Sequence, residues 1–259
     1  MNHYFQRINN VFIEAAGILT LMVLWELGPR AGWLDTQFFP PLSNVLLALW
    51  KLALNGVLFI HICASLQRIF IGVGLAVAVA VPLGFLLELV FPSLARKLTP
   101  LFRLFEQVNP LALSVIFILF FGIGEITKIF IILWSIVWMI LFSTMGGIRY
   151  VNPLYLKIAR SYGADRWTVF RKVILPGAAP TIFTGIRAAA TYAFFILIVA
   201  ESMGAYHGLG RFIRTSTFGS CIVVAVFGMA MDYGLFWLET WLLPWKYGLM
   251  DREGQDQVK

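Results

Sequence analysis

The sequence predicts an all-α polytopic membrane protein, and three observations carry that fold class. Hydrophobic residues make up 60% of the 259 and charged residues only 13%, against roughly half and a quarter in a soluble domain. Mean hydropathy is +0.83. The apolar residues fall in runs close to the ~20 residues that a helix needs to cross the hydrocarbon core. A soluble globule could not hide this much apolar surface, and disorder needs the opposite composition. The net charge of +7 does not point to nucleic acid, because the basic residues lie between the apolar runs.

Six segments are long and apolar enough to be spans: about 10–28, 64–90, 102–121, 126–147, 180–200 and 221–243. Arg7 and the apolar stretch from Val11 to Trp25 superficially resemble a signal peptide. No small-x-small cleavage site follows, so the stretch reads as a retained first span. Leu42 to Leu54 is too short to cross; it follows Pro40-Pro41, with Ser43 as the expected N-cap. Its pattern suits an amphipathic helix lying at the interface. Trp25, Trp33, Trp50, Trp237, Trp241 and Trp245 fall near span ends, where aromatic belts form.

Basic residues decide the orientation. With both termini cytoplasmic, that side receives Arg7, Arg96, Lys97, Arg103, Arg149, Lys157, Arg160, Arg166, Arg171, Lys172, Lys246, Arg252 and Lys259. The opposite side receives only Arg30, Lys51, Lys128, Arg211 and Arg214. Arg68 and Arg187 lie at or inside span ends. The expectation is N-in, C-in.

One connection is unlike the rest. Residues 149–179 form a long basic segment on the cytoplasmic side. Pro153 to Tyr162 and Asp165 to Ile174 read as two short helices joined at Gly163, with Pro153 in the first turn and Pro176 as a stop. Such an elbow protrudes, and Ile158, Trp167, Val169 and Phe170 give it apolar contact surface. A positively charged topology anchor is the plainer reading of the same composition.

Several chemistries are excluded or disfavoured. No Gly-Lys pair occurs, so the sequence holds no Walker-type phosphate cradle. Gly72/Gly74, Gly122/Gly124 and Gly208/Gly210 lack the strand-turn-helix setting of a dinucleotide site, and the last two pairs read as outer turns. In membrane helices glycine more often permits close packing. Cys63 and Cys221 read as small packed residues, and two cysteines make no disulfide framework. His3, His61 and His207 are dispersed, and no Ser, His and Asp fall into a hydrolase arrangement. Asp232 stands about halfway along the last span, where a carboxylate costs on the order of 2.5–3.5 kcal/mol. It reads either as half of a structural pair or as part of a pathway. Glu88, Arg187 and Glu239 read as polar pairs near span ends, while Glu201, Arg211 and Arg214 flank an outer loop and could meet a soluble protein there.

The spacing of the elbow carries a family resemblance. Lys157-Ile158-Ala159, then Gly163, then Val173-Ile174-Leu175-Pro176 resembles the cytoplasmic signature of ATP-binding-cassette importer permeases: Glu-Ala-Ala, three residues, Gly, nine residues, Ile-x-Leu-Pro. The likeness runs from about residue 10 to 245, through 38–49 (FFPPLSNVLLAL), 65–87 (SLQRIFIGVGLAVAVAVPLGFLL), 120–134 (FFGIGEITKIFIILW), 159–187 (ARSYGADRWTVFRKVILPGAAPTIFTGIR) and 200–213 (AESMGAYHGLGRFI). It looks most like the nitrate/sulfonate/taurine/bicarbonate subgroup.

That resemblance implies a single permease domain over 1–259, without a catalytic site of its own. The elbow would be a coupling helix docking on a separate ATPase, with Ala159, Ser161, Tyr162, Gly163, Ala164, Asp165, Arg166, Trp167, Leu175 and Pro176 forming the docking loop. ATP and Mg would be bound by that partner. Two ATPase copies, a second permease copy (most simply a homodimer) and a soluble or lipid-anchored binding protein complete the implied importer in a bacterial inner membrane. Its solute would be small, polar and anionic. In the family the third to sixth spans surround the route, so Asn109, Ser114, Ser143, Thr144, Thr191 and Tyr192 are possible lining. Ser and Thr in a helix also often satisfy their own backbone. Lys157 and Ile158 depart from the acidic-small pattern, and Glu106 to Pro110 keeps only one proline of a usually proline-rich entry, which hints at a different substrate. A stand-alone secondary transporter or channel, or a membrane scaffold recruiting an acidic protein, are the rival readings.

Overall fold

The computed structural model describes residues 16–17, 19–36, 39–202, 207–210 and 219–242, and no strand occurs among them. Within a bilayer a helix satisfies every backbone group internally, which is why apolar runs of this length take that form. The expected first span, 10–28, lies partly outside the described residues; its described part is α1, helical at 16–17 and 19–30. Then follow α2 (Leu42–Leu54) and α3 (Val57–Phe85), with α3 continuing through a π-turn at Leu86–Val90. Next come α4 (Pro92–Gln107), α5 (Pro110–Phe121) and α6 (Glu125–Tyr150). The chain closes with α7 (Pro153–Ser161), α8 (Arg166–Val169), a second π-turn at Phe170–Ile174, α9 (Leu175–Ser202) and α10 (Gly219–Leu242).

Among the described residues, four helical runs are long and apolar enough to cross a membrane: 57–90, 125–150, 166–202 and 223–242. A bent pair, α4 with α5, makes a fifth. The core is the seam between α3, α6 and α9, where Ala76, Ala80, Ile132, Ile136, Ile140, Leu141, Ala189, Ala193 and Leu197 are buried together. Small residues let these backbones approach, the usual device where lipid removes any hydrophobic drive between helices. At Gly72 a side chain would meet Ile132 Cγ2 at 2.6 Å, and at Gly185 it would run into Ser143.

The structure corrects three sequence expectations. The third span, 102–121, is not one helix: the chain turns by 86° between α4 and α5. Val108 and Asn109 are extended, and the Asn109 side chain accepts the Leu111 N–H at 2.9 Å. Proline at 110 forces the extended geometry on its predecessor and suits the first turn of a new helix. At about 18 Å, α5 is too short to cross alone. α4 is amphipathic, with Arg103 stacked 4.0 Å over Phe142 of α6 and paired with Glu106.

Pro176, expected as a stop, instead sits at the start of α9 inside an unbroken run of 37 residues. Its ring and missing N–H disturb the turn before it, and the wider π-turn at Phe170–Ile174 takes up the disturbance without ending the helix. Ser43 does not cap α2, whose N-cap is Pro41. Its hydroxyl and N–H donate to the Glu26 carboxylate, at 2.9 and 3.0 Å, fixing α1 to α2.

Candidate functional site

The elbow between α6 and α9 is built by local rules. Asn152 caps α7, accepting the Leu154 N–H at 2.9 Å, and Pro153 fills the first position. At the other end Gly163 takes φ +73°; its N–H reaches the Arg160 carbonyl and the Ala164 N–H reaches Ala159. That pair of bonds is a Schellman closure, which needs a left-handed residue four positions after the carbonyl it satisfies. The Ala159–Gly163 spacing seen in the sequence is therefore the spacing of a helix stop.

Asp165 then caps the next helix, accepting the Trp167 N–H at 3.2 Å. The Thr168 hydroxyl, followed by the backbone N–H groups of Trp167 and Thr168, holds the Asp165 carboxyl below its ordinary pKa. Trp167 stacks on Phe170 at 5.5 Å, and Phe170 meets Phe85 of α3 edge-on at 5.3 Å. Tyr155, Ile158, Tyr162 and Trp167 are exposed, Tyr162 by 88%. Arg160, Ala164, Asp165 and Arg166 face Leu89 and Val90 across a cavity of about 880 Å³. Ser161 is exposed, its hydroxyl donating to the Lys157 carbonyl at 3.1 Å, and Leu175 and Pro176 open α9.

The possible lining residues are dispersed. Asn109 is the α5 cap, and Ser114 is buried with its hydroxyl on the Leu111 carbonyl. Ser143 and Thr144 donate to the carbonyls of Met139 and Ile140, and Thr144 is fully buried against Gly84. Thr191 bonds the Arg187 carbonyl and Asp232, and Tyr192 is exposed.

Intramembrane charge is paired. Arg187, in the middle of α9, reaches Asp232 of α10 at 2.9 Å and Glu239 at 3.7 Å. Its guanidinium also lies 4.8 Å from the centre of the Phe236 ring. Near the elbow, Arg149 grips Glu88 through two bonds of 2.8 and 3.0 Å.

A second cluster went unseen in the sequence. Arg68 of α3 binds Glu125 at the start of α6, Glu201 at the end of α9, and the carbonyl of His207. Lys128 adds a 2.9 Å bond to Glu125. Glu201 was expected to flank an outer loop and meet a soluble protein; instead it is 1% exposed, holding the Ser65 hydroxyl and the Gly210 N–H. Arg211 and Arg214, its expected neighbours there, lie outside the described residues. The signal available was a lone arginine in one apolar run and a lone glutamate in another, 133 residues apart. Among the described residues no group of three His, Cys, Asp or Glu could hold a metal ion.

A helical membrane bundle carrying an exposed, rigidly capped elbow defines the class as a multi-pass membrane protein with a surface built to meet another protein. Residues 80–243 match the family described as the binding-protein-dependent transport system inner membrane component, and the chain belongs to that family. It is 30% identical to a taurine transport system permease protein of Escherichia coli, over 91% of this chain and 90% of the relative. It is 33% identical to a putative aliphatic sulfonates transport permease protein of the same species, over 87% and 88%. A bicarbonate transport system permease protein of Synechococcus elongatus is 31% identical over 92% and 91%. The fold is that of a chain of the MetNI methionine ABC transporter in an inward-facing conformation, with a TM-score of 0.65, 18% identity and coverage of 74% and 97%. An amino acid ABC transporter solved with histidines gives a TM-score of 0.61 at 14% identity, covering 76% and 97%. The protein is thus a multi-pass inner-membrane permease component of an ATP-driven importer, which works with ATPase and substrate-binding partners.

Proposed function

We propose that two identical copies of this chain form the passage of the importer, each docking one ATPase on its elbow and together receiving a small polar anion from a soluble or lipid-anchored binding protein. The observation that carries the docking half is the elbow itself. It presents Tyr155, Ile158, Tyr162 and Trp167 to the exterior on a backbone fixed by two caps and a left-handed glycine. Exposed aromatics flanked by arginines suit an interface hot spot. ATP and Mg belong on the partner, since the sequence has no phosphate cradle, and this chain contributes no catalytic site of its own. The excess of basic residues beside the elbow supports cytoplasmic termini. The anionic solute rests on the relatives, which are named for taurine, sulfonate and bicarbonate transport. Exposed Tyr192, and Thr191, which with Asp232 lines a cavity between α9 and α10, are the pathway residues favoured by position.

The test is purification of the tagged chain from its native membrane in mild detergent, with mass spectrometry and ATP hydrolysis read on the same sample. A stoichiometric ATP-hydrolysing subunit, lost when Trp167 becomes Glu, is the expected result. A nucleotide-indifferent oligomer overturns the reading and directs attention to ion-gradient flux.

A further inference from the structure

The residues around Arg68 are arranged with respect to the elbow in a way that packing alone does not require. α6 and α9 are the helices that carry the elbow at their inner ends. Glu125 is the first residue of α6, and Glu201 is the second-last of α9. Arg68 belongs to neither helix and binds both carboxylates. Among the described residues its remaining hydrogen bond is to the His207 carbonyl, at 2.8 Å. The 207–210 segment is fastened from below at every N–H that follows. Gly208 donates to His61 Nδ1 at 2.9 Å, Leu209 to the Ser65 hydroxyl at 3.0 Å, and Gly210 to Glu201 at 2.9 Å. Leu209 is fully buried in the core, and a side chain on Gly208 or Gly210 would collide with Glu201.

We propose that Arg68 is a positioning residue that clamps the outer ends of α6 and α9 to each other and to the 207–210 turn, so that the two helices act as one lever between the outer face and the elbow. This rests on the permease reading above. Three features favour a lever over a local brace. The two helices share the most extensive interface in the chain. Each runs unbroken to the elbow, over about 39 Å for α6. At the α9 end the pair is buried, Arg68 and Glu201 being 5% and 1% exposed while Glu125 opens to the surface, and losing one of the two buried partners strands the other in a low dielectric. A contiguous network with discrete arrangements is the physical requirement for coupling distant sites.

Coupling is reciprocal, so it can be read from the nucleotide side without knowing the solute. The probe is ATP trapped with orthovanadate on the co-purified complex, and the reporter is His207→Cys labelled by a membrane-impermeant maleimide. In the otherwise unaltered complex, trapping is expected to change the labelling rate by about fivefold or more. In Arg68→Gln, and in Arg68→Lys, which keeps a charge opposite Glu201 but cannot fork across both carboxylates, trapping persists and the change in labelling collapses toward onefold. If Arg68→Gln does not assemble, Arg68→Lys decides. A labelling change that survives in the assembled Arg68 variant, or no change in the unaltered complex despite trapping, overturns the lever. Absence of any trapping subunit overturns the permease reading beneath it.

Discussion

Gly163 carries the turn of the elbow at φ +73°, where a side chain meets the following carbonyl at a cost of roughly 1–2 kcal/mol. Asparagine tolerates that region and a β-branched residue does not. Gly163→Asn should therefore keep most of the co-purifying ATPase and Gly163→Val should lose most of it, measured as ATPase per permease after identical extraction. Asp165 gives a pH handle on the same turn. Its pKa is lowered in the folded chain, so the cap is fully present above the ordinary aspartate pKa and is lost only as pH falls below it. Protection of the Trp167 amide, its exchange rate relative to that of an unstructured chain at the same pH, should hold through mildly acidic pH and fall at stronger acidity, whereas Asp165→Asn should show no such transition. The elbow was legible because its signals are local: a cap, a glycine and a proline within a few residues. Glu201 was not, because what buries it is an arginine on another helix.

Among the helices, proline shows what sequence pattern settles and what it leaves to context. Pro110 breaks a span because an extended Asn109 is stabilised by its own side-chain bond. Pro176 breaks nothing, because a widened turn absorbs it. Apolar length finds both regions and cannot separate the outcomes, which depend on whether the preceding residues can cap a new helix. Glycine within α9 makes a sharper prediction. Gly185 lies directly against Ser143 of α6, so Gly185→Val overpacks the lever's own seam at a cost of about 1–3 kcal/mol. Gly74 has open space around it, and Gly74→Ala should leave the melting temperature near that of the unaltered protein while Gly185→Val lowers it.

At the scale of the whole bundle, the described charges that lie between helices are found in pairs or clusters, around Arg68 at one level and Arg187 at another. Asp232 was expected either to pair or to serve a pathway, and its carboxylate is 41% exposed while bound to Arg187. One guanidinium faces two carboxylates here, which makes the cluster asymmetric. Arg187→Gln leaves Asp232 without its cation, whereas Asp232→Asn leaves Arg187 still opposite Glu239. The first change should sharply reduce the yield of folded, membrane-inserted protein, and the second should reduce it much less, compared by size-exclusion after detergent extraction. Hydropathy located the helical runs 57–90, 125–150, 166–202 and 223–242 and the bent pair between them, within a few residues at most ends and up to about four helix turns at the others. The corner at 108–109 and the pairing of particular charges were not readable from it, because both arise only once the spans lie side by side.

The two π-turns, Leu86–Val90 and Phe170–Ile174, stand on α3 and on the run into α9, joined by the Phe85–Phe170 contact. A turn of this kind winds one residue more than an α-helical turn. That single residue sets the phase between the shaft and whatever it carries. Deleting Arg171 should restore regular winding and swing the elbow by about 100° with a 1.5 Å shortening, leaving every docking side chain intact and aimed at the wrong neighbour.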